Sequence, residues 1–207
     1  MMPDFLKIVA LGALLALSSK PVMASDQRTV APVFDCWEPE RPFKQCAATG
    51  SDGRPRLKRA YLARLRYRPD GLAAVLLLGG TGTRKSQWFY VRRGVIPMPV
   101  ETMDNGPDYF KDGLARSRVG GKIGYIDRKL NLVIPATYDG AYPFDDGVAV
   151  VCTACKIVSD GEHDWYEGGQ WGRIDRKGRV VTPFRPWNRG LSMAPHTFMT
   201  MRWPPSH

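Results

Sequence analysis

The sequence predicts an all-β fold: a repeat array of β-hairpins or meanders, stacked as a short solenoid or as a partial propeller or barrel. Three observations predict it. First, Asp112-Gly113-Leu114-Ala115 recurs as Asp146-Gly147-Val148-Ala149, and a fainter copy stands upstream as Asp70-Gly71-Leu72-Ala73. Second, each is followed by another block: Trp88-Phe89-Tyr90-Val91-Arg92-Arg93, then Ile123-Gly124-Tyr125-Ile126-Asp127-Arg128-Lys129, then Trp171-Gly172-Arg173-Ile174-Asp175-Arg176-Lys177. A fixed order of short blocks marks a repeat protein. Third, the apolar runs between blocks are short and end at glycine or polar turns, the grammar of strands.

The chain opens with Lys7 before an apolar run, Ile8 to Leu17, broken by Ser18, Ser19 and Pro21. Val22-Met23-Ala24 then supplies small residues. This predicts an export leader over 1–24, cut before Ser25. The run is about half of the roughly 20 residues that span a bilayer, and no cysteine follows it for a lipid anchor. The expectation is a periplasmic or secreted bacterial protein with no stable membrane anchor after cleavage.

The net charge is +10. Positive charge is densest at Arg54, Arg56, Lys58, Arg59, Arg64, Arg66 and Arg68. Such a balance favours anionic neighbours, such as lipid headgroups or acidic glycans, although a solvated face has the same composition. Export disfavours nucleic acid as a partner.

Residues 25–66 form a basic, Pro-rich stretch, expected as an extended arm. Four cysteines in an oxidising compartment predict disulfides. A Cys36–Cys46 bridge would contribute roughly 2–3 kcal/mol by restricting the unfolded chain. Leu57 to Tyr67 fits helical and strand spacing equally. Leu72 to Leu78 reads as a buried strand, and Trp88 to Val91 as another. Two hairpins follow, around the turns Asp127 to Asn131 and Asp175 to Arg179. Gly178 suits a left-handed turn position. Leu130 occupies that place in the other copy, so Asn131 is expected to take the left-handed conformation there. Pro135 and Pro183 are expected to end the second strands. Gly113 and Gly147 open strands. Gly124 and Gly172, the latter after Trp171, leave room for a neighbouring ring or backbone.

These blocks, together with Val133-Ile134-Pro135, Tyr138-Asp139 and Pro143-Phe144, resemble the WG-repeat (KWG) family of bacterial proteins. The resemblance covers about residues 67–194, divided as 67–109, 110–143, 144–183 and a degenerate cap at 184–194, with a tail at 195–207. It is weaker over 70–99, where Phe89 replaces the family glycine. It implies an all-β repeat protein, often exported or surface-associated, with a binding or scaffolding role. It implies no shared enzymatic activity, cofactor or catalytic residue.

Phe110 to Phe144 spans 34 residues, but the last copy carries a 14-residue insertion between Val151 and Trp171. It is expected to be a surface loop and the candidate binding site, through Glu162, His163, Asp164 and Trp165. It also holds Cys152 and Cys155. Such a C-x-x-C pair serves redox enzymes when it opens a helix, and Lys156 to Gly161 does not read as one. A zinc site would need a second ligand pair beside the cysteines and His163. No motif positions a nucleophile for His163, and His196 and His207 fall in the tail. The glycine-rich run Gly79 to Ser86 has Arg84 where a phosphate loop needs glycine, and a strand follows it. The expectation is therefore an exported, non-enzymatic binding or scaffolding protein without cofactor or metal. Its partner would be an envelope protein or an anionic polymer. The alternative is an envelope thiol-redox factor or other enzyme centred on Cys152 and Cys155.

Overall fold

The computed structural model describes residues 32–79, 86–162 and 164–186. The expected leader at 1–24, residues 80–85 of the glycine-rich run, His163, residues 187–194 of the expected cap, and the tail lie outside them. The described chain is built almost wholly of strands. In order they are β1 (Val33–Cys36), β2 (Phe43–Thr49) and β3 (Pro55–Leu57), then the short helix α1 (Arg59–Leu62), then β4 (Ala73–Leu78), β5 (Gln87–Val91), β6 (Met98–Val100), β7 (Thr102–Met103) and β8 (Gly106–Pro107). Next come β9 (Leu114–Val119), β10 (Lys122–Asp127), β11 (Leu132–Tyr138), β12 (Gly140–Ala141), β13 (Val148–Thr153), β14 (Lys156–Ser159), β15 (Asp164–Glu167), β16 (Gln170–Asp175) and β17 (Val180–Pro186).

Each sequence copy yields an antiparallel meander: β4-β5-β6, β9-β10-β11 and β13-β16-β17. The expected arm differs from its prediction. Residues 33–57 of it form β1 to β3, which extend the first meander into a sheet ordered β3-β2-β1-β4-β5-β6. Cys36 and Cys46 are fully buried beneath it and bridged, which is why charge and proline content misled: the segment buries its cysteines, not its basic residues.

Two cores lie between meanders. One joins Leu72, Tyr90, Met98 and Val100 of the first copy to Ala115, Ile126 and Leu130 of the second. Another joins Ile123, Tyr125 and Ile134 of the second to Ala149, Val151, Trp171 and Ile174 of the third. A ring contact recurs at both junctions. Tyr90 packs on Phe110 with centroids 5.0 Å apart, and its hydroxyl donates to Asp108 O at 2.7 Å. Tyr125 packs on Phe144 at 4.8 Å and donates to Tyr142 O at 2.7 Å. Both carbonyls lie two residues before their phenylalanine.

The Asp-Gly pairs make two-residue hairpin turns. Asp112 and Gly113 have φ of 51° and 83°, Asp146 and Gly147 48° and 78°, the left-handed pair that Asp-Gly favours. The glycines of the second block have a different reason. A Cβ on Gly124 would strike Ile134 O, and would lie 2.7 Å from Ala136 N and 2.8 Å from Pro135 C. On Gly172 it would lie 2.8 Å from the Phe184 ring. Backbone occupies the space in one copy and a ring in the other, as the residues implied.

Two expectations are corrected. Leu130 itself adopts φ 68°, and Asn131 does not take over. Left-handed backbone costs a non-glycine residue roughly 1–2 kcal/mol, but the Leu130 side chain is buried against the first meander, and burying a leucine contributes about 1.5–3 kcal/mol. The turn is otherwise that of Gly178. Asp127 Oδ1 accepts from Lys129 N and Asn131 N, and Asp175 Oδ1 from Lys177 N and Arg179 N, all at 2.9 Å. Pro135 and Pro183 also fail to end their strands. β11 and β17 are edge strands, and the prolines sit at register shifts where no ladder N–H is needed.

Substituting Gly124→Ala should cost about 3 kcal/mol, because backbone cannot yield as a side chain can. Leu130→Gly should cost about 1 kcal/mol net, lost burial exceeding relieved strain. Urea unfolding of the two variants checks both, and a stabilised Leu130→Gly would contradict the second.

Candidate functional site

The 14-residue insertion is a β-hairpin, not an irregular loop. Lys156 pairs with Glu167, Ile157 with Tyr166, Val158 with Trp165 and Ser159 with Asp164. Alternating Ile157, Val158, Trp165 and Tyr166 supply the β-branched and aromatic residues that pair well across strands. Its base is fixed by the Cys152–Cys155 bridge, whose Cα atoms are 6.0 Å apart. Both sulfurs are committed to that bond, so neither is a thiolate ligand. Among the described residues no three His, Cys, Asp or Glu side chains converge as a metal site would require.

The chain must pass tightly here. A Cβ on Gly140 would lie 2.6 Å from Cys152 Sγ and 2.6 Å from the Tyr166 ring. Gly169, at φ 68°, closes the hairpin where a Cβ would meet Cys155 N at 2.5 Å. Tyr166 is buried, edge-on to Tyr142 with centroids 5.9 Å apart, and Tyr142 lies 6.2 Å from Trp171. Burial pushes the Tyr142 hydroxyl up to about 12 and raises that of Tyr166.

Of the predicted binding residues, Glu162 and Asp164 are exposed. Trp165 is half-buried and donates its indole N–H to Glu167 Oε1 at 2.8 Å. Ile157 is exposed on the hairpin's first strand. The structure thus brings Trp165 and Glu167 together on one face, and sets Ile157 beside Tyr166 on the other.

Behind the hairpin lies a polar network that sequence reasoning missed. Asp108 and Arg116 are buried. Arg116 Nη2 donates to Asp108 Oδ1 at 2.7 Å, its Nε to Oδ2 at 3.1 Å, and its Nη1 to Ala141 O at 3.2 Å. Burial opposes the Arg116 charge, but the Asp108 hydrogen bonds outweigh it and hold the pKa above the ordinary value. Arg118 forks onto Glu101 at 2.9 and 3.0 Å and reaches Tyr166 Oη at 3.3 Å. Lys122 pairs with Asp139, whose other oxygen accepts Ala154 N at 2.7 Å. The signal was available. Arg116 and Arg118 stand where the third copy has Val150 and Cys152 and the first has Ala74 and Leu76. Charges at apolar repeat positions demand partners.

Comparison with known proteins finds a family match within the second and third copies. The family model described as WG containing repeat matches residues 123–153, the stretch from β10 through β13. Residues 123–153 thus carry a WG-type repeat. No curated protein and no solved structure matches it.

Two outcomes follow. Asp108→Ala should cost about 3–5 kcal/mol by leaving Arg116 buried and unpaired, read by denaturant unfolding. Hydrogen bonds from Lys122 and Ala154 lower the Asp139 pKa. A lowered folded pKa gives stability that is present above the unfolded value near 4 and lost as pH falls through the folded one. Asp139→Asn should therefore weaken the fold at neutral pH and flatten its stability below about pH 4.

Proposed function

We propose that this chain is an exported, non-enzymatic repeat protein that binds or scaffolds partners in the bacterial envelope, with the β14–β15 hairpin as its distinguishing contact surface. The observation that carries this reading is the hairpin's construction. Its base is pinned by a buried disulfide, two tight glycines and the Tyr142–Tyr166 contact, while its outer strand residues Ile157, Ser159 and Asp164 face solvent. A rigid base presenting an exposed end lowers the ordering cost of binding. Two disulfides support an oxidising compartment. A partner could be another envelope protein or an anionic polymer.

The thiol-redox reading draws on the same cysteines. Catalytic cysteines need an accessible sulfur, whereas Cys152 is fully buried and Cys155 nearly so, which supports a structural bridge.

Replacing residues 156–167 by a short glycine linker should abolish capture of envelope partners by the processed chain, with folding of the remainder checked by circular dichroism. Undiminished capture would move the contact surface elsewhere. Thiol titration of the folded chain under mild reductant should show both bridges intact; rapid release of a low-pKa Cys152 thiol would favour redox work.

A further inference from the structure

Among the described residues, ten large hydrophobic side chains are exposed, and six lie at or just after the second-block turns: Val95 and Ile96, Leu132 and Val133, Val180 and Val181. Isolated exposed apolar residues need no explanation. A pair in each of three copies, at or just after the same turn, is not scatter. Val95, Val133 and Val181 are 40, 43 and 52% exposed.

Each pair follows a basic turn: Arg92-Arg93, Arg128-Lys129, Arg176-Lys177 with Arg179. Contacts hold these turns at one end of the array. Arg93 lies over the Tyr67 ring at 4.5 Å. Arg92 Nη1 donates to Arg128 O at 3.1 Å, and Arg128 pairs with Asp70 at 2.6 Å, beside Arg68. Arg176 reaches toward Gly113, and Gly178 sits against Ile134. The acids at this end are turned to the backbone. Asp70 accepts Leu72 N, Asp112 accepts Gly147 N, and Asp127 and Asp175 each accept two turn N–H groups. Asp145 and Asp146 add further negative charge. Arg93, Arg128, Lys129, Arg176 and Lys177 are exposed.

We propose that this end of the array is a membrane-docking surface, on which three basic turns meet anionic lipid headgroups and an exposed aliphatic side chain beside each turn enters the interface. The inference extends the envelope-binding reading and uses a different surface from the β14–β15 hairpin. Charge complementarity selects an anionic partner, and the exposed aliphatic side chains beside the turns select a bilayer over a soluble polyanion, because only a bilayer offers apolar volume behind its charge. One turn alone binds weakly. Three on one rigid body act together, since engaging the first holds the others at high local concentration.

The test is flotation of the processed chain with vesicles of phosphatidylcholine alone, or with about one third phosphatidylglycerol, at about 0.15 M salt. Binding is expected only to the anionic vesicles. A Lys129→Gln, Arg176→Gln, Lys177→Gln variant should bind at least about tenfold more weakly. A Val95→Ser, Val133→Ser, Val181→Ser variant should also lose most binding, with its fold checked by circular dichroism. Independently of any variant, anionic vesicles should protect Lys129 and Lys177 from trypsin. No flotation and no protection would overturn the proposal. So would unimpaired flotation of the serine variant together with equal binding to soluble polyphosphate, which would assign the turns to a soluble polyanion. Intact mass of the recovered chain reads leader cleavage separately, so failure of export and failure of docking are distinguishable.

Discussion

The array depends on a ring of one copy finding a phenylalanine of the next. A three-stranded meander has two faces and cannot bury either by itself. Tyr90 on Phe110 and Tyr125 on Phe144 solve this twice with the same geometry, each tyrosine also donating its hydroxyl to the carbonyl two residues before that phenylalanine. The close passes at Gly124 and Gly172 serve the same end, since a side chain at either position would lift a third strand off its sheet. Arg173 stands at the corresponding position of the third copy, and its Nε is buried without a partner among the described residues. The ring contact is thus a property of the first two junctions.

Much of this was legible beforehand. Block order located the second and third meanders and the first two strands of the first, because the turns and close approaches that define a copy need particular residues. Gly113, Gly147 and Gly178 are where left-handed backbone is required, and Gly124 and Gly172 where space is. What escaped was decided by tertiary context. Leu130 bears an unfavourable φ because its side chain reaches the neighbouring core, which local turn chemistry cannot report. Pro135 and Pro183 persist within strands because those strands lie at sheet edges. The N-terminal segment, basic and proline-rich, still donates three strands because Cys36, Cys46 and Ala47 supply a buried face.

The candidate site was legible in place but not in form. An insertion between intact blocks points to a surface excursion, and residues 156–167 are one. Their pairing as a hairpin, with Trp165 tied to Glu167 and Tyr166 turned inward, follows from cross-strand alternation that a loop reading ignores. The Asp108–Arg116 and Glu101–Arg118 pairs were hidden for a different reason. Arginines alternating along β9 look like a wet face until the other copies are set beside them.

The two bridges close only short spans, ten and three residues in sequence separation, and neither ties one meander to another. Mechanical load along the chain would accordingly fall on ring contacts, ion pairs and backbone ladders. Meanders would peel apart in succession, and almost the entire contour length would be released without breaking a covalent bond.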